Sequence, residues 1–282
     1  MPDEPLVEES LQFGDGGRLL GILTLPNLRP PNAQELPMFV FLNAGLLHRV
    51  GPHRLYVRLA RNLARMGLAS LRVDLAGTGD SPPRLGLTNE QSVAADFEEI
   101  LSVLATYGGS RAIVLAGLCS GADNAIRLTL NERRVVGLVL LDPVCSPDDG
   151  FHTRSLVYSY TNPARYIGWL KRRLKGQATQ PLGGDEKIDP LTIRDVPSHE
   201  ELQSAFERIG DRGGRVLSVF TQYALRYYNQ AGQLGRVLKI KGYHRFCTEL
   251  FWPEADHTYP LELHRHRLVK QVKTWADVYH ST

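Results

Sequence analysis

The sequence predicts an α/β fold, in which helices cover both faces of a mostly parallel sheet. Short apolar runs alternate with segments of helical periodicity along most of the chain. The run Met38 to Leu42 is apolar at every position, which is typical of a parallel strand buried on both faces. The turn GLCSG at residues 117–121 joins another apolar run, Ile113 to Ala116, directly to a helical pattern. This strand–turn–helix unit is the centre of the functional prediction.

Composition limits the classes of function to be considered. The chain has 282 residues, of which 43% are hydrophobic and 22% charged, as in an ordinary globular protein. This length suits one large α/β domain or a core with an inserted segment. The formal net charge of +3 is small, so the sequence predicts no nucleic-acid partner and no strong attraction to membranes.

Cysteine usage and the N-terminal residues bear on cofactors and compartment. Cys119, Cys145 and Cys247 form neither a disulfide framework nor a paired metal-ligand spacing, and we predict no metal and no other cofactor. The start, MPDEPLVEES, lacks the parts of a signal peptide, and no apolar run approaches the ~18 residues of a membrane span. These features predict a cytoplasmic protein, since a reducing compartment preserves a free thiol.

The elements predicted before the GLCSG turn begin with a hairpin, because two strand-like runs flank the glycine-rich residues 14–17. Further along, strands are followed by polar loops and amphipathic helices. The predicted strands are Leu6 to Phe13, Arg18 to Leu25, Met38 to Leu42 and Ala69 to Val73, and the predicted helices are His53 to Met66 and Asn89 to Tyr107.

After the turn, the alternation of strands and helices is interrupted and then resumes. Residues 146–214 become polar and basic, and an interruption of that length is more typical of a functional insertion than of a loop. We therefore divide the chain into a first core segment (1–145), an inserted cap (146–214) and a second core segment (215–282). The strands predicted here are Val135 to Leu141, Arg215 to Phe220 and Phe246 to Trp252, with helices at 122–130, 222–231 and 261–279.

The GLCSG turn puts Cys119 at the position of a nucleophile between a strand and a helix. Glycines two residues before and two after it let the strand and the helix approach closely around a strained backbone. The sulfur then lies at a helix N-terminus, whose free N–H groups favour a thiolate. Two alternatives stay open: Cys119 is a buried structural residue, or Ser120 is the nucleophile.

On these motifs the chain resembles the α/β-hydrolases over nearly its whole length. The shared features are the hairpin, the loop DLAGTGDS at 74–81, the GLCSG turn (the nucleophile elbow of this family), the inserted cap and the segment ADHTY at 255–259. The chain is most similar to the serine-aminopeptidase-like branch and, within it, to the exosortase-system-associated hydrolases, which carry an HRVGPHR-type segment (here 48–54) and a GLC-type elbow. The resemblance implies the α/β-hydrolase fold: a mostly parallel eight-stranded sheet, helices on both faces and an inserted helical cap.

The family order of nucleophile, acid and histidine implies that His257 is the catalytic base. A histidine of near-neutral pKa can take the thiol proton and later protonate the leaving group. His257 lies in the short segment between the last predicted strand and the last predicted helix. His48 and His53 are its rivals near the predicted mouth of the site, where a wall or substrate contact is the alternative role.

The acid of the predicted triad departs from the family pattern. In most of the family it follows the seventh strand, but here the strand RVLSVF (215–220) continues as TQYA, without a carboxylate. Asp142, directly after the sixth strand, is the predicted acid, as in pancreatic-type lipases of the same fold. Asp256, Asp148 and Asp149 are alternatives, and a cysteine–histidine pair can also act without a third member.

An oxyanion hole needs two backbone N–H groups that point at the developing negative oxygen. The residue after the nucleophile, Ser120, supplies one of them in this motif. Gly45, in the loop after the third strand, is the predicted second donor, and Leu46 is its alternative.

The predicted reaction is acyl transfer through an S-acyl-cysteine intermediate on a Cys119–His257–Asp142 triad. Hydrolysis of an ester or thioester is the first expectation. An acyltransferase that moves an activated or carrier-bound acyl group to an amine or alcohol is the second, and a non-catalytic binding protein is the third. The expected partner is a small acyl ester or thioester. A basic patch in the predicted cap makes an acyl carrier protein a further candidate, and it comprises Arg165, Lys171, Arg172, Arg173 and Lys175.

Overall fold

The computed structural model describes residues 6–27, 36–107, 112–161 and 194–280. Eight strands form one sheet in these ranges. They are β1 (Val7–Phe13), β2 (Leu19–Leu25), β3 (Met38–Leu42), β4 (Ser70–Asp74), β5 (Ile113–Leu118), β6 (Val135–Leu141), β7 (Arg215–Thr221) and β8 (Cys247–Trp252). Their order across the sheet is β1-β2-β4-β3-β5-β6-β7-β8.

The direction of the strands matches the prediction. β2 runs antiparallel to both of its neighbours, β1 and β4. All the other neighbouring pairs, from β4–β3 to β7–β8, are parallel. An eight-stranded, mostly parallel sheet is therefore confirmed.

Helices cover both faces of this sheet. One face packs against α1 (Leu55–Arg65) and α7 (Glu262–Ala276). The other packs against α2 (Asn89–Thr106), α3 (Ser120–Asn131) and α5 (His199–Asp211). The remaining described helices are α4 (Phe151–Thr161) and the short α6 (Gln233–Leu238).

Strand β3 shows why the central strands are apolar at every position. Successive side chains of a strand point to opposite faces. Met38, Val40 and Leu42 belong to the apolar cluster on one face, whereas Phe39 and Phe41 belong to the cluster on the other. Because helices cover both clusters, neither set of side chains has a solvent-facing position to fill with polar residues.

The helix predicted over residues 222–231 is wrong. A short 3₁₀ turn, Gln222–Arg226, follows β7 instead, and α6 begins only at Gln233. Tyr227 and Tyr228 both donate their backbone N–H to the carbonyl of Ala224, which ends the turn. Both tyrosine rings are then buried in the core, so tertiary packing outweighs the helical periodicity of the local sequence.

The residues that follow the parallel strands lie side by side at one edge of the sheet. Cys119 donates its backbone N–H to the carbonyl of the last residue of β6 at 2.9 Å, and Asp142 donates to Val219 at 2.8 Å. Beyond β7, Gln222 donates to the carbonyl of Ala255 at 3.0 Å. These bonds extend the ladder past the strand ends, so the loops after β5, β6, β7 and β8 meet.

The predicted cap is described only in part. Residues 162–193 lie outside the described ranges, and the basic patch of the predicted cap lies there too. α4 follows the start of the predicted cap, and α5 lies near its end. α5 packs against the same apolar cluster as α3 through Leu202, Ala205, Phe206 and Ile209. The division at 146 and 214 stays a prediction. No helix in the described part of the chain is long and apolar enough to cross a membrane.

Candidate active site

The turn between β5 and α3 holds Cys119 in a strained conformation. Its φ of 58° and ψ of −121° are unusual for a residue with a side chain. Both flanking glycines are required sterically. A Cβ at Gly117 would lie 2.2 Å from the carbonyl carbon of Gly121, and one at Gly121 would lie 2.5 Å from the carbonyl oxygen of Asn43. The backbone of β5 therefore contacts the backbone at the start of α3, which in turn contacts the backbone at the end of β3. The Cys119 side chain projects from this point of contact.

His257 links Cys119 to a buried carboxylate. Its Nδ1 lies 2.7 Å from Oδ2 of Asp142, a residue 115 positions earlier in the chain. The Cys119 side chain lies close enough to the same imidazole for each group to shift the pKa of the other, and since Nδ1 contacts Asp142, Nε2 is the nitrogen that faces the sulfur. The sequence-predicted Cys119, His257 and Asp142 are thus brought together.

Asp142 is fully buried, and its remaining lone pairs are used by a single neighbour on β7. Thr221 donates its backbone N–H to Oδ1 at 2.6 Å and its hydroxyl to Oδ2 at 2.7 Å. With the imidazole, these two donors satisfy a carboxylate that water does not reach. The bonds hold its two oxygens in fixed directions, and this orients His257 in turn.

The charges around Cys119 favour a thiolate. Burial by itself would raise the pKa of the thiol, but the hydrogen bond with His257 and the positive charges of Arg194 and His257 lower it below its ordinary value. For His257, burial would lower the pKa, but the bonds to Asp142 and Cys119 raise it to about 9. The two shifts support each other, because each charged form stabilises the other. Together the two shifts favour a thiolate–imidazolium pair.

Gly45 and Ser120, the predicted oxyanion-hole residues, also meet. The backbone N–H of Gly45 donates to the hydroxyl oxygen of Ser120 at 2.8 Å, across 75 positions of sequence. The backbone N–H of Ser120 lies close enough to the Cys119 side chain to favour its charged form. Leu46, the alternative donor, is 88% exposed. The Gly45 N–H, in the loop after β3, therefore lies next to the first residue of α3.

The alternative acids have other partners. Asp256 accepts hydrogen bonds from Thr258 through one oxygen and from Gln222 through the other. Asp148 forms ion pairs with two arginines, of which Arg236 is one. Asp142 is therefore the carboxylate that contacts the imidazole of His257.

The rival histidine His48 belongs to a separate charged cluster. Its Nε2 lies 3.0 Å from a carboxylate oxygen of Asp80 and 2.7 Å from the guanidinium of Arg49, which also forms an ion pair with Asp74. His48, Asp74 and Asp80 approach closely enough to share a cation. The Arg49 guanidinium already lies among them and supplies that charge, so these residues form a salt-bridge cluster. His53 is exposed.

Sequence reasoning missed Arg194, which lies in the segment that leads into α5. Its side chain is 5% exposed and forms an ion pair with Asp123 on α3. Its Nη2 donates to the carbonyl oxygens of Cys119 at 2.9 Å and of Asp142 at 3.2 Å. One guanidinium thus ties together the two residues of left-handed φ that follow β5 and β6. An arginine in a polar segment carries no local signal of such a role.

Sequence reasoning also missed Tyr223, in the 3₁₀ turn after β7. Its ring stacks on the His257 imidazole with centroids 4.0 Å apart, and its hydroxyl lies beside the Cys119 side chain. The sequence drew attention to this turn only because it lacks a carboxylate.

Comparison with solved structures finds α/β-hydrolase esterases that are similar over almost the whole chain. Est1E from Butyrivibrio proteoclasticus, bound to ferulic acid, has 17% identity and a TM-score of 0.56, with 94% of this chain and 96% of that chain covered. The esterase PF2001 from Pyrococcus furiosus has 12% identity and a TM-score of 0.58, with 98% and 91% covered. A thermophilic esterase from Thermogutta terrifontis, bound to malate, has 17% identity and a TM-score of 0.52, with 97% and 99% covered. At these identities the likeness shows a shared fold.

Comparison with sequence families is more specific. A search of curated protein sequences gave no match. The family model of the serine aminopeptidases, S33, matches residues 44–197, which is more than half of the chain. The narrower resemblance to exosortase-system-associated hydrolases stays a prediction. The chain has the α/β-hydrolase fold, and it belongs to the serine aminopeptidase, S33 family.

Proposed function

We propose that this protein hydrolyses an ester or thioester through an S-acyl intermediate on Cys119. The observation that carries the proposal is the position of the His257 imidazole, which bonds Asp142 through Nδ1 and faces the Cys119 sulfur through Nε2. A nucleophile, a proton carrier and an orienting carboxylate in this order suit covalent acyl transfer. The likeness to esterase structures supports a small acyl ester or thioester as the substrate.

Acylation begins from the thiolate–imidazolium pair. A lone pair of the Cys119 sulfur attacks the substrate carbonyl carbon, and the C=O π electrons move onto the oxygen. When this tetrahedral intermediate collapses, the bond to the leaving group breaks and its electron pair leaves with that group. The leaving alkoxide or thiolate takes the Nε2 proton of His257. The products of this step are an S-acyl cysteine, a neutral imidazole and an alcohol or thiol.

Deacylation uses the neutral imidazole as a base. Nε2 of His257 takes a proton from water while the water oxygen attacks the acyl carbon. The second tetrahedral intermediate collapses with cleavage of the carbon–sulfur bond, and its electron pair returns to Cys119. A carboxylic acid leaves, and the thiolate–imidazolium pair is restored.

The oxyanion in both intermediates is proposed to bind between the backbone N–H groups of Gly45 and Ser120. The N–H of Gly45 now donates to the Ser120 hydroxyl at 2.8 Å. A substrate oxygen would replace that hydroxyl as the acceptor, so the donor is already oriented toward the cleft before substrate binds. Loss of either backbone N–H is expected to slow both half-reactions, since each passes through an oxyanion.

Cysteine at this position supports a second outcome for the intermediate. The S-acyl enzyme is itself a thioester, so exchange with a thioester substrate is nearly balanced in energy. An amine or alcohol that enters before water would take the acyl group. The stabilised thiolate makes Cys119 a good leaving group for any of these acceptors. Acyl transfer is therefore the alternative function.

Pre-steady-state release from a chromogenic thioester tests the proposal. The wild-type protein should release a burst of about one thiol per protein and gain the mass of the acyl group on Cys119. The Cys119→Ala variant should lose burst and adduct together, and the matched Cys145→Ala variant should keep both. Adding an amine or alcohol acceptor divides the product between acid and amide or ester, which distinguishes hydrolysis from transfer.

The opposite result would favour the third expectation, a binding protein. The catalytic proposal would be wrong if neither a thioester nor an activated oxyester gave a burst or an adduct and if Cys119 also resisted alkylation.

A further inference from the structure

Tyr223 contacts both reacting residues of the candidate site. It lies in the 3₁₀ turn after β7, beside the ends of β6 and β8. Its ring lies against the His257 imidazole, with centroids 4.0 Å apart and planes inclined by 19°. Its hydroxyl lies within reach of the Cys119 sulfur, close enough for the charge of the sulfur to act on the phenol. A side chain that stacks on the base and reaches the sulfur is close enough to influence both.

The ring is held on its other face as well. The guanidinium carbon of Arg226 lies 4.0 Å from the ring centroid, and Nε of the same residue donates to the carbonyl oxygen of Tyr223 at 3.2 Å. The phenol ring is thus held between an imidazole and a guanidinium, a geometry that favours cation–π attraction on both faces when His257 is protonated. This sandwich leaves the hydroxyl little freedom to turn away from the sulfur.

The backbone of Tyr223 is joined to the acid of the triad. Its N–H donates to Oγ1 of Thr221 at 3.3 Å, and that hydroxyl donates its hydrogen to Asp142 at 2.7 Å. Asp142, Thr221 and Tyr223 therefore form one hydrogen-bonded chain along the end of β7. Displacement of the ring would disturb the carboxylate that orients His257.

The chemistry of the phenol is that of a donor. Burial raises the pKa of Tyr223, and the nearby Cys119 charge raises it further, although Arg226 and Arg194 oppose this. The hydroxyl therefore stays protonated at neutral pH. A protonated phenol beside a sulfur anion can only donate, and hydrogen bonds to charged groups are stronger than neutral ones.

We propose that Tyr223 is a further catalytic residue, whose phenol donates a hydrogen bond to the Cys119 sulfur whenever that sulfur is anionic. This happens in the resting thiolate and again when the thiolate is expelled from the S-acyl enzyme. The O–H bond is never broken, so no proton enters or leaves through Tyr223. The role rests on the function proposed above, since it stabilises the leaving thiolate in deacylation. The imidazolium of His257 and the phenol of Tyr223 then both stabilise the anionic sulfur.

The Tyr223→Phe variant tests this with iodoacetamide, since alkylation of the thiolate needs no substrate. Loss of the donor should move the pH profile of Cys119 alkylation about one unit to higher pH, so the rate below the midpoint of the profile falls roughly 3- to 5-fold: the thiolate fraction is smaller, although each thiolate is more reactive. The plateau at high pH should instead rise about 2- to 3-fold, because a less stabilised thiolate is more nucleophilic. Loosening of the site alone would not produce opposite changes at the two ends of the profile.

The matched control is Tyr227→Phe. Tyr227 is a buried tyrosine four residues later, and its hydroxyl donates to the carbonyl of Pro143 at 3.2 Å. Its removal should leave the alkylation profile in place. Thermal unfolding of both variants checks that each is folded at the assay temperature.

The outcome separates this inference from the proposed function. A profile of Tyr223→Phe that matches the wild type, or that falls by one factor at every pH, overturns the role of Tyr223. Failure of the proposed function appears elsewhere, as a wild-type protein that forms no S-acyl adduct with any ester. If the adduct forms, its breakdown should be several-fold slower in Tyr223→Phe, because the departing thiolate has lost a donor.

Discussion

Cys119 and the two other cysteines show what makes a thiol reactive in this protein. Cys145 follows β6 and Cys247 begins β8, so all three lie in or next to the same sheet. Burial raises the pKa of Cys145 and of Cys247 well above the ordinary range, and the Glu249 carboxylate raises it further. For Cys119 burial acts in the same direction, yet the net shift is downward.

The difference lies in the neighbours of the sulfur. Cys119 faces an imidazole, a guanidinium and a backbone N–H, all of which stabilise negative charge. Cys145 and Cys247 face a carboxylate. Burial therefore increases the effect of neighbouring charges on the pKa of a thiol, since a low dielectric constant strengthens attraction and repulsion alike.

Selective alkylation is the largest effect that this comparison predicts. At pH 7 the rate of Cys119 with iodoacetamide should exceed those of the other two cysteines by a factor on the order of 10³ or more. Because its pKa is lowered, the Cys119 rate should begin to fall at a lower pH than the rate of an ordinary thiol. Peptide mapping by mass spectrometry gives the three rates. Comparable rates at all three sites would remove the basis of the comparison.

Replacing Asp142 by Asn tests how far the imidazolium depends on its carboxylate. The variant should hydrolyse a chromogenic thioester on the order of 10²-fold more slowly, less than for a serine enzyme because a thiol ionises more easily. In the wild type, acylation should decline as the pH rises through about 9, where His257 loses its proton. In Asp142→Asn this decline should move to lower pH, because the Asp142 carboxylate is one of the groups that raise the pKa of His257. A decline at unchanged pH contradicts the pairing of His257 with Asp142.

Replacing Arg194 by Met removes a positive charge from the sulfur. The alkylation rate of Cys119 near pH 6 should fall several-fold, up to about 10-fold, since the guanidinium lowers the pKa of the thiol. In Arg194→Lys, which keeps the positive charge, the alkylation rate of Cys119 should fall less. Arg127→Met removes a different ion pair of α3, with Asp195, and should leave the rate unchanged.

The two arginine variants also differ in stability. Loss of Arg194 leaves Asp123 buried without its cation, so urea unfolding should show a loss of about 3 kcal/mol. Equal alkylation rates in Arg194→Met and the wild type would limit the arginine to this structural role.

Replacing Glu249 by Gln tests why Cys145 and Cys247 are unreactive. Of the changes considered, it should have the smallest effect on thiol reactivity. Alkylation of Cys145 and Cys247 should change less than about 2-fold, because burial is the main cause of their raised pKa values. The fold should nevertheless lose about 1–3 kcal/mol in urea unfolding, since the carboxylate accepts bonds from two tyrosines and from the N-terminus of α6. A large gain in reactivity would make the carboxylate, and not burial, the main cause.

The sequence predicts the turn around Cys119 well because its determinants are contiguous. An apolar strand, two glycines at fixed spacing and a helical pattern occupy one short stretch, and the steric need for Gly117 and Gly121 is visible in that spacing. Asp142 is predicted by its position directly after a strand, and His257 by the family order of the catalytic residues and by its place between the last strand and the last helix. Prediction failed where contacts between distant segments outweighed the local pattern, as in the turn at Gln222–Arg226 that periodicity marks as a helix.

By itself, the sequence determined the alternation of strands and helices, the apolar faces and the residues that stand at strand ends, because hydrophobic periodicity and turn chemistry are local. Only the tertiary structure decided which of those ends meet. The strand order sets β6, β7 and β8 in succession beside β5, and this brings Tyr223 and Arg194 to the same sulfur as His257. The local sequence around Tyr223 or Arg194 gives no sign of a role at the site. The electrostatic potential at the Cys119 sulfur is a sum of contributions from loops that are far apart in the chain.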